Sequence, residues 1–361
     1  MQKIIIACMV IVMVFSGINA PASQRKAASG PFTVTDALGR DVSFDSPPHR
    51  MILAGKAFFM IADALYLFPG AGERIAAMGI FQQDSTNFIS FIDPNAAAKT
   101  VLEPNVGAEQ IAAFHPDAVI LKSYLSDQLG ATLEVLGIPV VYVDLETPEQ
   151  YERDLRILGM LLGQPARAEE LVQYYQQGVK RIQAATQDLT DTQKPRVLML
   201  HYSDRDGIVA FQVPPSSWMQ TRLVELAGGI PVWRDSISGR GWTTVTLEQI
   251  LAWDADAIFI VSYFKDPTEV TRAIKADPNW SAMRAVQAGR LYAFPGDLNI
   301  WDQPDPRWIL GLTWVAQKLH PERFANVDII ATAQAFYQHL YHLDVEFFES
   351  HIRPTFTGDL P

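Results

Sequence analysis

The side chains with chemistry to offer are mostly rings and cations, set where short apolar runs give way to polar loops. In the first half of the chain these are Lys56, Phe81-Gln82 and Lys122-Ser123-Tyr124. In the second half they are His201, Tyr202, Arg205, Trp218, Arg240, Trp242, Tyr263 and Trp301. Rings supply apolar walls with a polar handle, and Lys56 or Arg240 can hold an anion against a net-negative protein. The spacings of catalysis are missing: there is no Gly-x-Ser-x-Gly, Gly-x-x-x-x-Gly-Lys or His-Glu-x-x-His, and no Gly-x-Gly-x-x-Gly after a strand. His339 and His342 stand three apart and could share a metal, but no third ligand has comparable spacing, so neither a metal site nor a cofactor is expected.

The elements that must position these residues alternate between strand and helix. After a hairpin signal at 32–44, apolar strands are expected at 51–54, 75–78, 118–121 and 140–143, with helices at 57–68, 108–114 and 124–136 between them. Strands of this kind imply a parallel sheet covered on both faces. The same order returns with strands at 196–200, 257–260 and 291–294 and helices at 219–227, 247–251 and 268–276; Val232 is a further strand start. Ala108-Glu-Gln-Ile-Ala-Ala-Phe-His-Pro-Asp-Ala-Val-Ile120 matches Leu247-Glu-Gln-Ile-Leu-Ala-Trp-Asp-Ala-Asp-Ala-Ile-Phe259, so Glu109 and Asp117 map onto Glu248 and Asp256 at one offset. Between the copies, 147–189 reads as helix with one soft break at 163–165. Its second arm carries an apolar stripe at Ala168, Leu171, Val172, Tyr175, Val179 and Ile182.

The expected architecture is therefore α/β, with two Rossmann-like lobes that each hold a parallel sheet, at 32–146 and 190–320, joined by a long rigid helix at 147–189. A helical tail at 321–361 completes it. Ligands of such sheets lie beyond the carboxyl ends of the strands, which makes the facing edges of the two lobes the expected cleft.

Composition bounds the rest. A chain of 361 residues is long enough for two domains, and 48% hydrophobic with 19% charged residues is an ordinary globular balance. Lys3, the apolar run 4–15 and the small residues after it read as a signal peptide, cut after Ala22 or Ala20, followed by a flexible leader to residue 31. The only cysteine, Cys8, lies inside that run, so the mature chain is expected to lack thiols, which excludes thiol catalysis and disulfides. A formal charge of −11 with no basic block excludes nucleic acid as a partner. The expected location is outside the cytoplasm, in a periplasm or on the outer face of the cytoplasmic membrane.

The ordered motifs resemble those of the periplasmic substrate-binding proteins of ABC importers for ferric siderophores, haem and cobalamin. They are Asp36-Ala-Leu-Gly-Arg-Asp-Val42 leading to Pro48-His-Arg-Met51, Glu109-Gln-Ile111 with His115-Pro-Asp-Ala-Val-Ile120, and Gly137-Ile-Pro-Val-Val-Tyr142. Later come Leu226-Ala-Gly-Gly229, Glu248-Gln-Ile250 with Asp256-Ala-Ile258, and 280–292. The resemblance implies a monomeric receptor, not an enzyme, that hands a metal chelate to a permease dimer driven by its ATPase. It also implies that Glu109 and Glu248, one per lobe, pair with arginines on that permease. The segment Trp301-Asp-Gln-Pro-Asp-Pro-Arg-Trp308 looks closer to members that include binders of molybdate or tungstate, so an oxyanion stays open as the cargo. Two other classes stay open on the residues alone: a chelatase-like enzyme with paired lobes, told apart by turnover, and a surface sensor or adhesin, told apart by the absence of a co-purifying permease.

Overall fold

The computed structural model describes residues 30–80, 88–205 and 207–361. The expected signal peptide, Cys8, most of the leader and Phe81-Gln82 lie outside the described residues.

The chain opens with β1 (Phe32–Thr35) and β2 (Asp41–Phe44), an antiparallel hairpin. β3 (Met51–Leu53), β4 (Ile75–Gly79), β5 (Thr100–Leu102), β6 (Ala118–Lys122) and β7 (Val140–Val143) then form a wholly parallel sheet in the order β5-β4-β3-β6-β7. Alternation along the buried β6 explains why it sits between two layers. Ala118 and Ile120 join the main core, while Val119 and Leu121 join a smaller cluster with Ile52, Leu133 and Tyr142 on the other face.

The second sheet contains β8 (Arg196–Arg205), β9 (Ile208–Val213), β10 (Ile230–Pro231), β11 (Thr243–Val245), β12 (Ala257–Val261) and β13 (Leu291–Ala293). Its order is β11-β9-β8-β12-β13, with β10 beside the start of β8. The expected all-parallel sheet is corrected here: β9 pairs antiparallel with both β8 and β11. β8 runs five residues past the expected end, so the stretch after residue 200 is the arm of a hairpin rather than a loop. The β10 strand also stops before Val232.

The two copies share their central connections. Asp117 Oδ2 accepts from the His49 amide at 2.8 Å, and Asp256 Oδ2 accepts from the Arg196 amide at 2.7 Å. The amide of each aspartate returns a bond to the carbonyl of Arg50 or Arg196. Both acids therefore tie the start of an inner strand to the start of its central neighbour, β3 or β8, which explains why this aspartate appears in both copies.

The helical connection also differs from its expected form. Pro148–Leu161 and Pro165–Thr186 are two helices that double back on one another. Tyr151 meets Tyr175 at 5.1 Å between ring centroids, Glu152 accepts from Gln176, and Arg156 pairs with Glu169 at 2.6 Å. The break at 163–165 is thus a full reversal. Gly163 supplies a positive φ of 70°, and Gly159 supplies the clearance, since a Cβ there would stand 2.4 Å from that of Ala168. The long helix joining the lobes is Pro165–Thr186 alone, about 33 Å at 1.5 Å per residue. Its stripe residues Ala168, Leu171, Val172, Tyr175 and Ile182 are buried, and Gly178 packs against Ile309.

Between the lobes runs an irregular but buried seam from Phe294 to the helix Trp308–Leu319. Arg307, completely buried, bonds Asp63 at 2.7 Å, Asp297 at 2.9 Å and Asp305 at 3.1 Å. Asp63 lies on the first-lobe helix Phe58–Leu65, so this cluster links the two lobes. Tyr337 donates to Asp297, Trp301 Nε1 donates to the same carboxylate, and Phe88 lies 4.5 Å below the guanidinium. Burial pushes the Asp63 carboxyl upward against the pull of Arg307 and pushes Asp305 up to about 7.

Candidate functional site

Four elements of the second lobe deliver rings to one place at the carboxyl edge of its sheet. His201 ends the stretch of β8 that pairs with β12, Tyr263 follows β12 by two residues, Trp218 caps the helix Met219–Leu226, and Trp242 immediately precedes β11. The His201 ring lies 4.8 Å from Trp242 and 4.7 Å from Tyr263, and Trp218 meets Trp242 edge-on at 5.7 Å. His201 Nδ1 stands 3.0 Å from Gln212 Oε1 on β9, so the antiparallel strand missed in the sequence is what orients the histidine. Trp218, Trp242 and Tyr263 are each half-buried, forming a wall with one face open.

The first lobe reaches this wall through the charge of Glu146, which acts on Tyr263 and lies with Lys122, Ser123 and Tyr124 at the end of β6. Lys122 ends β6, but its ammonium is buried, donating to the Asp144 carbonyl and pairing with Glu146 at 2.6 Å. Ser123 donates to the Asp144 carboxylate, which Arg153 also engages at 2.7 Å. Tyr124 is exposed beside these groups. Partial burial and then the Glu146 charge raise its hydroxyl pKa, and Glu146 also contributes, behind burial and Asp302, to the upward shift of Tyr263 across the cleft. Nearby, Arg222 of the second lobe reaches Glu149 of the first at 3.2 Å, so the lobes are clasped at this edge.

Of the residues singled out by sequence, Trp218, Trp242 and Tyr263 come together, with His201, while Lys122 and Tyr124 lie beside Glu146 on the first lobe. Lys56 is exposed and shares with Tyr124 a groove of about 600 Å³ that also involves Asn105 and Gln128. Arg240 is exposed, two residues before Trp242. Tyr202 points the other way: strand alternation sends it toward Phe211 and Lys265, opposite His201. Trp301 is completely buried, bonded to Asp297 and edge-on to Phe356, so it belongs to the seam rather than to an open wall. Arg205 closes β8. His339 stacks on Tyr174 at 5.2 Å, and among the described residues no group of histidine, cysteine or carboxylate side chains has the geometry of a metal site.

Glu146, Gln220 and Asp302 also belong here, though their place is not marked by the pattern of rings and cations at strand ends. Tyr263 donates its hydroxyl proton to Asp302 Oδ2 at 2.7 Å, and Gln220 Nε2 donates to the same oxygen at 3.0 Å. A polar side chain two residues after Trp218, and an acid inside a segment otherwise full of tryptophan and proline, were the available signals.

Glu109 and Glu248 are exposed in the first turns of Ala108–Ala112 and Leu247–Trp253. Each helix begins alike, with Gln110 or Gln249 accepting from the amide of Gly107 or Thr246 at 2.9 Å. Each leads directly into the equivalent inner strand, β6 or β12. The two acids therefore occupy equivalent places in the two lobes. Glu248 is held below the usual carboxylate range by its own amide and then by the Thr246 hydroxyl.

With two lobes, a joining helix and a ring-lined cleft in place, the chain matches the family described as "Periplasmic binding protein" over residues 95–298. The chain belongs to that family, which is one of binding proteins rather than enzymes. It is a substrate-binding protein of an ABC importer, which implies a permease as its partner. Among its relatives, the molybdate-binding protein MolA of Haemophilus influenzae is 25% identical over 66% of this chain and 70% of its own. A cobalamin-binding protein of Halobacterium salinarum is 24% identical over 88% of this chain and 83% of its own. A solved periplasmic solute-binding protein from Veillonella parvula shares the fold at a TM-score of 0.70 and 24% identity, covering 90% of this chain and 97% of that one. Among the described residues no helix is long and apolar enough to cross a membrane.

Proposed function

We propose that this protein captures a metal chelate, an iron-siderophore or a related complex such as a corrinoid, outside the cytoplasm and delivers it to the permease. The observation that carries this reading is the ring wall of Trp218, Trp242, His201 and Tyr263. A bulky chelate offers flat, partly apolar surface for such rings, whereas a bare oxyanion needs converging unpaired donors. Lys122, a buried cation at the end of β6, is already paired with Glu146. Exposed Lys56 and Arg240 then suit the peripheral negative charge of a chelate. Release follows when the permease, gripping Glu109 and Glu248, draws the lobes apart against the stiffness of Pro165–Thr186 and the Arg307 cluster.

Molybdate or tungstate is the second reading, favoured by the name of the Haemophilus influenzae relative. A thermal-shift panel of ferric hydroxamate and catecholate siderophores, cobalamin and molybdate separates the two. A chelate at a hundredfold excess over its dissociation constant is expected to stabilise the fold by about 2.7 kcal/mol. Stabilisation by molybdate with none by any chelate would move the assignment to the oxyanion.

A further inference from the structure

Two buried oxygens, one in the seam and one on the helix Met219–Leu226, lack partners in a way that a single proton resolves. Asp302 is completely buried, and its two side-chain donors, Tyr263 and Gln220, both bond Oδ2, while no other side chain bonds Oδ1. Gln220 is buried too, and its Oε1 also has no partner. Two side chains already joined by one hydrogen bond thus each leave their second oxygen idle. A neutral carboxyl and a primary amide satisfy one another through two bonds: the acid carbonyl accepts from the amide N–H, and the acid hydroxyl donates to the amide oxygen. An ionised acid cannot make the second bond, and a buried unpaired acceptor is costly.

We propose that Asp302 carries a proton on Oδ1, shared with Gln220 Oε1, and that this acid–amide pair positions Tyr263 in the cleft wall so that the wall responds to pH. The consequence for cargo rests on the ligand-capture reading above; the proton itself does not. Burial pushes the Asp302 carboxyl up to about 7, against the pull of the Tyr263 and Gln220 bonds. Several titratable or charged groups surround the pair. Tyr263 follows β12, His201 on β8 packs against the Tyr263 ring, and Glu146 acts on Tyr263 from the first lobe. Asp305 and Arg307 lie on the same segment as Asp302, with Asp63 and Asp297 beyond them. Among the described residues, no cation forms an ion pair with Asp302.

As pH rises through about 7 the shared proton is lost. The carboxylate keeps its two donors, but Oδ1 and Gln220 Oε1 become opposed acceptors, so Gln220 must turn. It sits two residues after Trp218, whose ring meets Trp242, and the motion therefore reaches two fluorescent indoles in the wall.

The test uses the full mature chain without ligand. Infrared spectra and tryptophan emission are followed from pH 5 to pH 9 in the wild type and in Asp302→Asn, whose amide supplies the same donor and acceptor without titrating. The wild type is expected to lose a protonated-carboxyl stretch near pH 7 with a parallel shift in emission. Asp302→Asn should lack that part of the infrared change and keep the acid-form emission throughout. An emission transition that persists unchanged in Asp302→Asn would belong to another group and overturn the proposal. So would a wild-type spectrum at pH 5 with no protonated buried carboxyl, a result independent of whether the variant folds. With no ligand present, either failure leaves the chelate reading standing, and a failed ligand panel leaves this one standing.

Discussion

Arg307→Met is expected to remove about 3–5 kcal/mol of folding stability, the cost of breaking a buried ion cluster by deleting one partner. That is a large share of the roughly 5–15 kcal/mol that holds a domain folded. Among the described residues the guanidinium is the only cation bonded to Asp63, Asp297 and Asp305, all of them buried, and methionine would leave three carboxyls facing one another. They can adapt only by binding protons, so the folded pKa values of Asp63 and Asp305, already raised by burial, rise further. A carboxyl whose folded pKa is raised stabilises the fold below its unfolded value, and that stability is lost as pH rises through the folded value. The variant's deficit should therefore be smaller at pH 5 than at pH 8. Urea unfolding at the two pH values checks this, and an equal deficit at both would show that the carboxyls do not take up the missing charge. Because Asp63 belongs to the first lobe and the other members to the seam, the same variant should loosen the lobes relative to one another.

Glu109→Lys combined with Glu248→Lys should bring transport in reconstituted vesicles down to the background of the permease alone while leaving ligand affinity unchanged. Both acids are exposed, both open a helix that feeds an equivalent inner strand, and neither forms an ion pair within the described structure. A two-lobed receptor meeting a two-fold permease needs one such group on each lobe. Each single reversal should give a partial loss, and the loss should shrink as salt screens the exposed pairs. Full uptake by the double variant would remove the docking role and leave the two glutamates as helix-start carboxylates.

The sequence carried the duplication because the repeated Glu-Gln-Ile and Asp-Ala pattern does the same work twice. Asp117 and Asp256 make the same amide bonds at the start of β6 and β12, so the offset reflects a shared strand connection. It did not carry the antiparallel strands of the second sheet. The run from Arg196 looked finished at Leu200 because His201 to Arg205 is polar, yet those residues form the hairpin arm that orients His201. The reversal at 163–165 looks like a soft break in the sequence because a glycine two residues before a proline fits either a bend or a turn, and only the pairing of Tyr151 with Tyr175 decides. The site was legible in part for a similar reason. Rings after strand ends were found, but strand alternation turned Tyr202 away, and Trp301 proved to be an anchor of the buried seam. Least visible was the Arg307 cluster, since acids and an arginine between prolines look like a surface loop until the tyrosine and phenylalanine that cover them are in place.

Protein recovered from its native host, analysed by native mass spectrometry with metal quantification, tests the central claim most directly. The account predicts one metal bound per chain together with the mass of an organic chelator, both lost from Trp242→Ala. Recovery of molybdenum or tungsten with no organic mass, or of a chelate that Trp242→Ala retains in full, would contradict it.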